Sequence, residues 1–219
     1  MTVSTDRDRW IRRALWLSAI TMGFNLLEGC VSIWFGWEDQ SVALFGFGID
    51  SLVEVASAAL IFWRFHLDAD RTGLDTSKRE RLAIRSIGIM LLLLAGVTTV
   101  GSVLQLLSHR HPGTTIPGIL VSIVSLVVMF LLWRGKTRTA VALDSRAMKS
   151  DAACSLACMQ LSSVIFIGSM LFWWSPRLWW VDAVTAIVIS GLIAREGWSG
   201  FRISLKPDFS GGCGCGHEG

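Results

Sequence analysis

The sequence predicts an all-α integral membrane protein with six transmembrane helices, and its hydropathy carries this prediction. The 219 residues are 52% hydrophobic, with a mean hydropathy of +0.54, far above that of an ordinary soluble domain. Five apolar stretches are long enough to cross about 30 Å of hydrocarbon, and a sixth is shorter. The six predicted spans are Ala14–Gly36, Ser41–Trp63, Ser86–Leu107, Thr114–Trp133, Ala152–Trp174 and Leu178–Ala194.

Charged residues inside these spans are few. The third, fourth and fifth spans contain none, whereas the first contains Glu28 and the second contains Asp50 and Glu54. The sixth has Asp182 near its start. It reaches full length if the side chain of Arg195 extends to the membrane surface and the helix continues beyond it.

The positive residues predict the orientation of the chain. All but two of the 20 lysine and arginine residues lie in the N-terminal segment, in the loops after the second and fourth spans, or in the C-terminal segment. Because such residues stay in the cytoplasm, both termini are predicted to be cytoplasmic. The net charge of +3 then reflects topology, and a nucleic-acid partner is not expected. No cleavable signal peptide is recognisable. We expect a protein of the bacterial inner (plasma) membrane.

Two segments of the chain resemble each other. Residues 41–54 read SVALFGFGIDSLVE, and residues 145–158 read SRAMKSDAACSLAC. Each places two potential metal ligands at i and i+4, which lie on one face of a helix. Since the second and fifth spans run in opposite directions, the match suggests an inverted repeat. In many transporters the substrate site lies near mid-membrane, where such repeats meet.

The four residues at these positions predict a metal site within the bilayer. Asp50 and Glu54 would repel each other unless one is protonated or a cation lies between them, and a carboxylate there costs roughly 2.5–3.5 kcal/mol on insertion scales. The alternative for this pair is a neutral carboxyl that joins two helices. Cys154 and Cys158 could by themselves be packing residues, but their register matches that of the acids. A disulfide between them is disfavoured by the parallel side chains at i and i+4.

Two carboxylates and two thiols suit tetrahedral Zn²⁺ first and Cd²⁺ second. Thiols bind metal as thiolates, so metal binding displaces their protons. The same four groups therefore hold either a metal ion or protons, which is what a proton-coupled exchanger requires.

These motifs resemble those of the cation diffusion facilitators, six-span metal exporters in which a metal-ligand pair in span two meets another in span five. Cys154 stands at the family's histidine position and Cys158 at its aspartate position, and the segment 179–182, WWVD, resembles the usual beginning of span six. The resemblance implies a homodimer that exchanges metal for protons, from cytoplasm to outside. The Cys-x-x-x-Cys pair departs from the family pattern, and the family's cytoplasmic C-terminal domain is expected to be absent. We expect residues 1–203 to form the transmembrane domain and residues 204–219 a flexible cytoplasmic tail.

Several further residues are accessory candidates. Asp151 precedes Cys154 by one turn and is either an alternative ligand or access gate, or a charged residue at the hydrated end of the helix. Asn25 and Glu28 lie on one face of span one. Glu28 either relays protons, pairs with Lys149 or another cation, or makes a structural hydrogen bond between helices.

The loop and the tail contain the remaining candidates. His66, Asp68 and Asp70 follow span two, where relatives can bind a second metal, although a solvated loop is the favoured interpretation. The C-terminal segment 210–219 reads SGGCGCGHEG, and glycines separate its possible ligands. The ligands are Cys213, Cys215 and His217. They either bind metal in the reducing cytoplasm or belong to a disordered end.

The sequence therefore predicts a membrane exporter of Zn²⁺, with Cd²⁺ possible, that is not an enzyme. A metal-binding or sensing membrane protein without transport is the second hypothesis. An intramembrane thiol oxidoreductase using Cys154 and Cys158 is the third, and the helix geometry disfavours it.

Overall fold

The computed structural model describes residues 2–38, 42–69, 76–108, 116–175 and 180–206. Within them the chain is helical and contains no strand. The helices are α1 (Thr2–Glu38), α2 (Val42–Ala69), α3 (Thr76–Leu107), α4 (Ile116–Ala142), α5 (Arg146–Trp174) and α6 (Val181–Ser204). In this part of the chain, α1 to α4 each contain a stretch that is long and apolar enough to cross a membrane.

Most helices extend beyond the spans that hydropathy predicts. The prediction begins α1 at Ala14 and ends α4 at Trp133, whereas the helices begin at Thr2 and end at Ala142. Hydropathy detects only the part of a helix that is apolar on all sides. A helix that continues into the polar region keeps its hydrogen bonds but loses that signal. The predicted continuation of α6 beyond Arg195 is confirmed, and the helix ends at Ser204.

The helices alternate in direction through the bundle. One end of the bundle, at which α1, α3 and α5 begin and α2, α4 and α6 end, is called the terminal side. The opposite end is called the distal side. On the terminal side, Arg81 at the start of α3 donates a hydrogen bond to the carbonyl of Lys206, just after α6, at 3.0 Å. Ser145 donates to Glu80 there at 2.8 Å and accepts a hydrogen bond from Met148 N–H as the N-cap of α5. The start of α5 is thereby fixed next to the start of α3.

The close packing of α3 against α6 depends on glycine. A Cβ added to Gly88 would lie 2.9 Å from the carbonyl oxygen of Gly197, and one added to Gly197 would lie 2.9 Å from that of Gly88. Backbone oxygens cannot move aside as a flexible side chain can. The two helices therefore approach at a distance that only residues without a side chain allow, as at other membrane helix contacts.

Replacing Gly197 with Ala should lower the stability of the bundle by about 1–3 kcal/mol, because the added methyl group forces α6 away from α3. The measurement is the thermal unfolding midpoint of the purified protein in detergent. Gly191→Ala is the matched control on the same helix, since no atom lies within 4 Å of its Cβ position. Equal midpoints for the two variants would contradict the inferred contact.

Candidate metal site

The predicted ligands lie where α2 and α5 face each other. Asp50 and Glu54 on α2, and Cys154 and Cys158 on α5, are all buried, with at most 4% of any of them exposed. Buried positions at i and i+4 on each helix were expected from the spacing. All four side chains therefore lie inside the protein, and their role as metal ligands stays a prediction.

Side-chain contacts show that α2 and α5 run antiparallel. The contacts in order along α2 are Asp50 with Cys158, Glu54 with Ser155, and Ser57 with Asp151. As the position on α2 advances, the partner on α5 therefore moves back towards the start of that helix. This is the arrangement that an inverted relation between the two segments requires.

Asp50 and Cys158 form the distal part of the site. The Cys158 thiol is hydrogen-bonded to the Asp50 carboxylate. The second oxygen of Asp50, Oδ2, is buried and has no hydrogen-bond partner among the described residues. A buried carboxylate oxygen without a donor is costly, and a bound cation would satisfy it.

Glu54 belongs to a second cluster, on the terminal side of Asp50. The ammonium of Lys136 lies 3.3 Å from Glu54 Oε1 and 3.0 Å from Asp151 Oδ2, and it donates to Ser155 Oγ at 2.8 Å. Ser155 donates a hydrogen bond to the same Glu54 oxygen. Ser57 donates to Asp151 Oδ1 at 2.7 Å. We call Lys136, Glu54, Asp151 and Ser155 the lysine cluster.

Cys154 lies beside the lysine cluster and contacts the hydroxyl of Ser57. Cys154, Cys158 and Cys30 are free thiols. Because Cys154 faces Ser57 while Cys158 faces Asp50, the two thiols of α5 have different partners. This geometry does not favour a redox-active pair.

The four predicted ligands do not surround a common point in this arrangement. Within the described ranges, no group of three or more histidine, cysteine, aspartate or glutamate side chains is close enough to hold one metal ion. Glu54 faces Lys136 and Ser155, whereas Asp50 faces Cys158. Their joint coordination of a metal stays a prediction, and it requires Glu54 to leave the lysine cluster.

Asp151 is part of the buried site. It is fully buried and paired with Lys136, so the interpretation as a charged residue at the hydrated end of α5 is wrong. The helix begins at Arg146 rather than at Ala152, which places Asp151 more than one turn inside it.

Glu28 connects α1 to the site. It accepts a hydrogen bond from Ser51 on α2 at 3.1 Å and also bonds with Ser125 on α4. Asn25 instead donates to the Thr21 carbonyl of its own helix at 2.9 Å. Glu28, and not Asn25, makes the bond between helices. Lys149 instead lines a different cavity, to which Glu196 also contributes.

The loop and tail candidates are only partly described. His66 is exposed and stacks on Phe62, with ring centroids 5.8 Å apart. The side chain of Asp68 lies outside the described part of the structure, as do the whole of Asp70, Cys213, Cys215 and His217. Their predicted metal binding stays untested.

Lys136 is the residue that the sequence interpretation missed. It was assigned to a positive loop after the fourth span, but α4 continues to Ala142 and Lys136 is fully buried. The signal for its inward position was a stripe of buried residues along one face of α4. These residues are Ser122, Ser125, Met129, Leu132, Lys136 and Thr139. Their spacing of three and four residues places Lys136 on the inner face of the helix.

A cavity of about 390 Å³ reaches Asp50 between α2, α3, α5 and α6. It extends from the level of Val53 and Leu93 to that of Phe45 and Gln105, which is towards the distal side. The lysine cluster does not line it. In this arrangement Asp50 is therefore approached from the distal side, while the lysine cluster lies between the site and the terminal side.

A comparison with known families assigns the chain to one of them. The profile of the cation efflux transmembrane domain matches residues 15–206. The chain belongs to the cation efflux family. The resemblance drawn from the motifs in α2 and α5 is thereby confirmed, and transport of metal cations across a membrane is the general activity of the family.

The chain is also similar to a membrane protein of an animal. The chain is 26% identical over 194 residues to transmembrane protein 163 of Xenopus laevis, which covers 88% of this chain and 67% of that protein. The similarity thus extends over most of this chain.

Proposed function

We propose that this cation efflux protein exports Zn²⁺, and secondarily Cd²⁺, from the cytoplasm in exchange for protons, through a site formed by Asp50, Glu54, Cys154 and Cys158. The observation that carries the proposal is the antiparallel contact of α2 with α5, which buries both carboxylates and both thiols and joins the Cys158 thiol to the Asp50 carboxylate. Thiolate ligands favour Zn²⁺ and Cd²⁺ over Mg²⁺, Ca²⁺ and Mn²⁺.

Proton coupling follows from the same ligands. Thiols and carboxyls that release protons when metal binds take them up again when it leaves. Glu28 is positioned to relay protons to the site, because its hydrogen bond with Ser51 places it beside Asp50. We propose that the protein only transports and carries out no covalent chemistry on its substrate.

The topology forms part of the proposal. All six helices cross the plasma membrane, a bacterial inner membrane, with the terminal side in the cytoplasm. Support comes from the basic residues at that end of the bundle, for example Arg81, Arg146 and Lys206. The working unit is a homodimer, as the family resemblance implies.

The test is zinc flux into liposomes that contain the purified protein, with and without a pH gradient. We expect flux that depends on the gradient. It should fall at least about a hundredfold in the Cys154→Ser/Cys158→Ser variant, since removing even residues that only support metal ligands costs 10–100-fold. The matched control is Cys30→Ser, an exposed thiol of α1, which should leave the flux unchanged.

The other outcomes are also informative. Flux that survives the double replacement would move the site to Asp50, Glu54 and Asp151. Tight zinc binding with no flux would favour a metal-binding or sensing protein.

A further inference from the structure

The buried lysine of α4 gives the site a cation of its own. Lys136 is fully buried, and its ammonium contacts oxygen atoms of Glu54, Asp151 and Ser155 at 2.8–3.3 Å. These are three contacts for a group with three N–H donors. The cluster thus surrounds the ammonium with oxygen ligands, as it would a small metal cation.

Stability alone does not explain this arrangement. A buried ion pair contributes little to stability, because the cost of desolvating the charges offsets their attraction. Ionisable residues inside a membrane protein usually serve a function. Lys136 also joins three helices through one group, since Glu54 lies on α2 and Asp151 on α5.

The position of Glu54 relates the ammonium to the metal site. Glu54 Oε1 accepts hydrogen bonds from both the Lys136 ammonium and the Ser155 hydroxyl. Among the described residues, no three possible metal ligands lie close enough to hold one ion. A metal ion bound to that oxygen at about 2.0–2.2 Å would lie against the ammonium and be repelled by it. Metal and lysine therefore compete for the same carboxylate.

We propose that Lys136 is a tethered cation that competes with the transported metal for Glu54. Without metal it holds Glu54 and Asp151 together and closes the site towards the terminal side. A metal ion that arrives from that side must displace the ammonium from Glu54. The Glu54 carboxylate then turns towards Asp50 and Cys158. The competition lowers metal affinity and so favours release. This inference rests on the proposed function, because it assigns Glu54 to the transport site.

The test is the zinc affinity of the full-length purified protein, measured by competition with a chromophoric chelator. Lys136→Gln keeps a hydrogen-bond donor but removes the charge. We expect it to bind zinc at least about tenfold more tightly, which corresponds to about 1.4 kcal/mol. Lys136→Arg keeps the charge and should bind like the natural protein. Arg138→Gln, an exposed position on the same helix, is the matched control.

A second variant covers the case in which Lys136→Gln does not fold. Lys136→Met/Asp151→Asn removes one charge of each sign and leaves Glu54 without its competitor. It should also bind zinc more tightly. A purely structural lysine would change the unfolding midpoint of these variants and leave their zinc affinity as it is.

The outcomes separate this proposal from the proposed function. One outcome is that the natural protein transports zinc while the folded Lys136 variants bind zinc with unchanged affinity. This outcome would overturn the tethered cation but would still support transport. Tighter binding in the Lys136 variants without flux in the natural protein would support the tethered cation and contradict transport. Absence of zinc binding in every variant would overturn the competition.

Discussion

Replacing Asp50 with Asn is expected to reduce zinc transport to the background level of protein-free liposomes. The carboxylate is buried in the distal half of α2, beside Cys158, and its Oδ2 has no hydrogen-bond partner in the described part of the chain. Asparagine keeps the size but lacks the negative charge that a divalent cation requires. Loss of a direct ligand should cost at least the 10–100-fold that loss of a supporting residue costs. The measurement is initial zinc uptake under a fixed pH gradient.

Protein stability distinguishes a lost ligand from a damaged fold. Because burying a charged aspartate in a membrane is costly, Asp50→Asn should leave the unfolding midpoint unchanged or raise it. Asp6→Asn is the matched control, since Asp6 is 73% exposed and pairs with Arg9 on the surface of α1. An Asp50→Asn variant with half the natural flux or more would remove Asp50 from the transport site.

The residues of α2 and α5 could be predicted because two signals coincide there. An acid in an apolar span is rare, and a second segment with the same register adds independent support. Hydropathy finds the apolar span, and a spacing of four gives the shared face. Which neighbours the side chains contact depends on how the helices pack. The pairing of Asp50 with Cys158, and of Glu54 with Lys136, was therefore not predictable from either segment.

Lys136 shows a different limit. In the sequence it lies between Arg134 and Arg138, and a cluster of positive residues after a span is typical of a cytoplasmic loop. Charge composition does not distinguish the exposed residues of such a cluster from the one that faces inward. The spacing from Met129 and Leu132 does so, but only if the helix is known to continue beyond Trp133.

Replacing Glu80 with Ala is expected to be the most destabilising single change. Glu80 on α3 is buried and ion-paired with Arg64 at the end of α2. It also accepts hydrogen bonds from Ser145 Oγ at 2.8 Å and from the N–H of Ala147 at 2.7 Å. One carboxylate thus joins the terminal ends of three helices, and it lies at the N-terminus of α5, where a negative charge is favourable.

Loss of that carboxylate breaks the buried ion pair between Glu80 and Arg64, and breaking such a pair costs about 3–5 kcal/mol. At about 2–4 °C per kcal/mol, this loss should lower the unfolding midpoint by roughly 6–20 °C. Since α5 carries Cys154 and Cys158, its displaced N-terminus should also lower zinc affinity. The measurements are the unfolding midpoint in detergent and the zinc affinity of the protein that stays folded.

Two further variants separate the charge of Glu80 from its hydrogen bonds. Glu80→Gln keeps an acceptor for Ser145 and Ala147 and should lose less stability than Glu80→Ala. The Arg64→Leu/Glu80→Leu pair removes both charges and should recover part of the loss, because neither charge of the ion pair then has to be desolvated. Glu196→Ala, at an exposed position of α6, should have little effect on the midpoint. If Glu80→Ala unfolded at the same temperature as Glu196→Ala, the junction of α2, α3 and α5 would not depend on this ion pair.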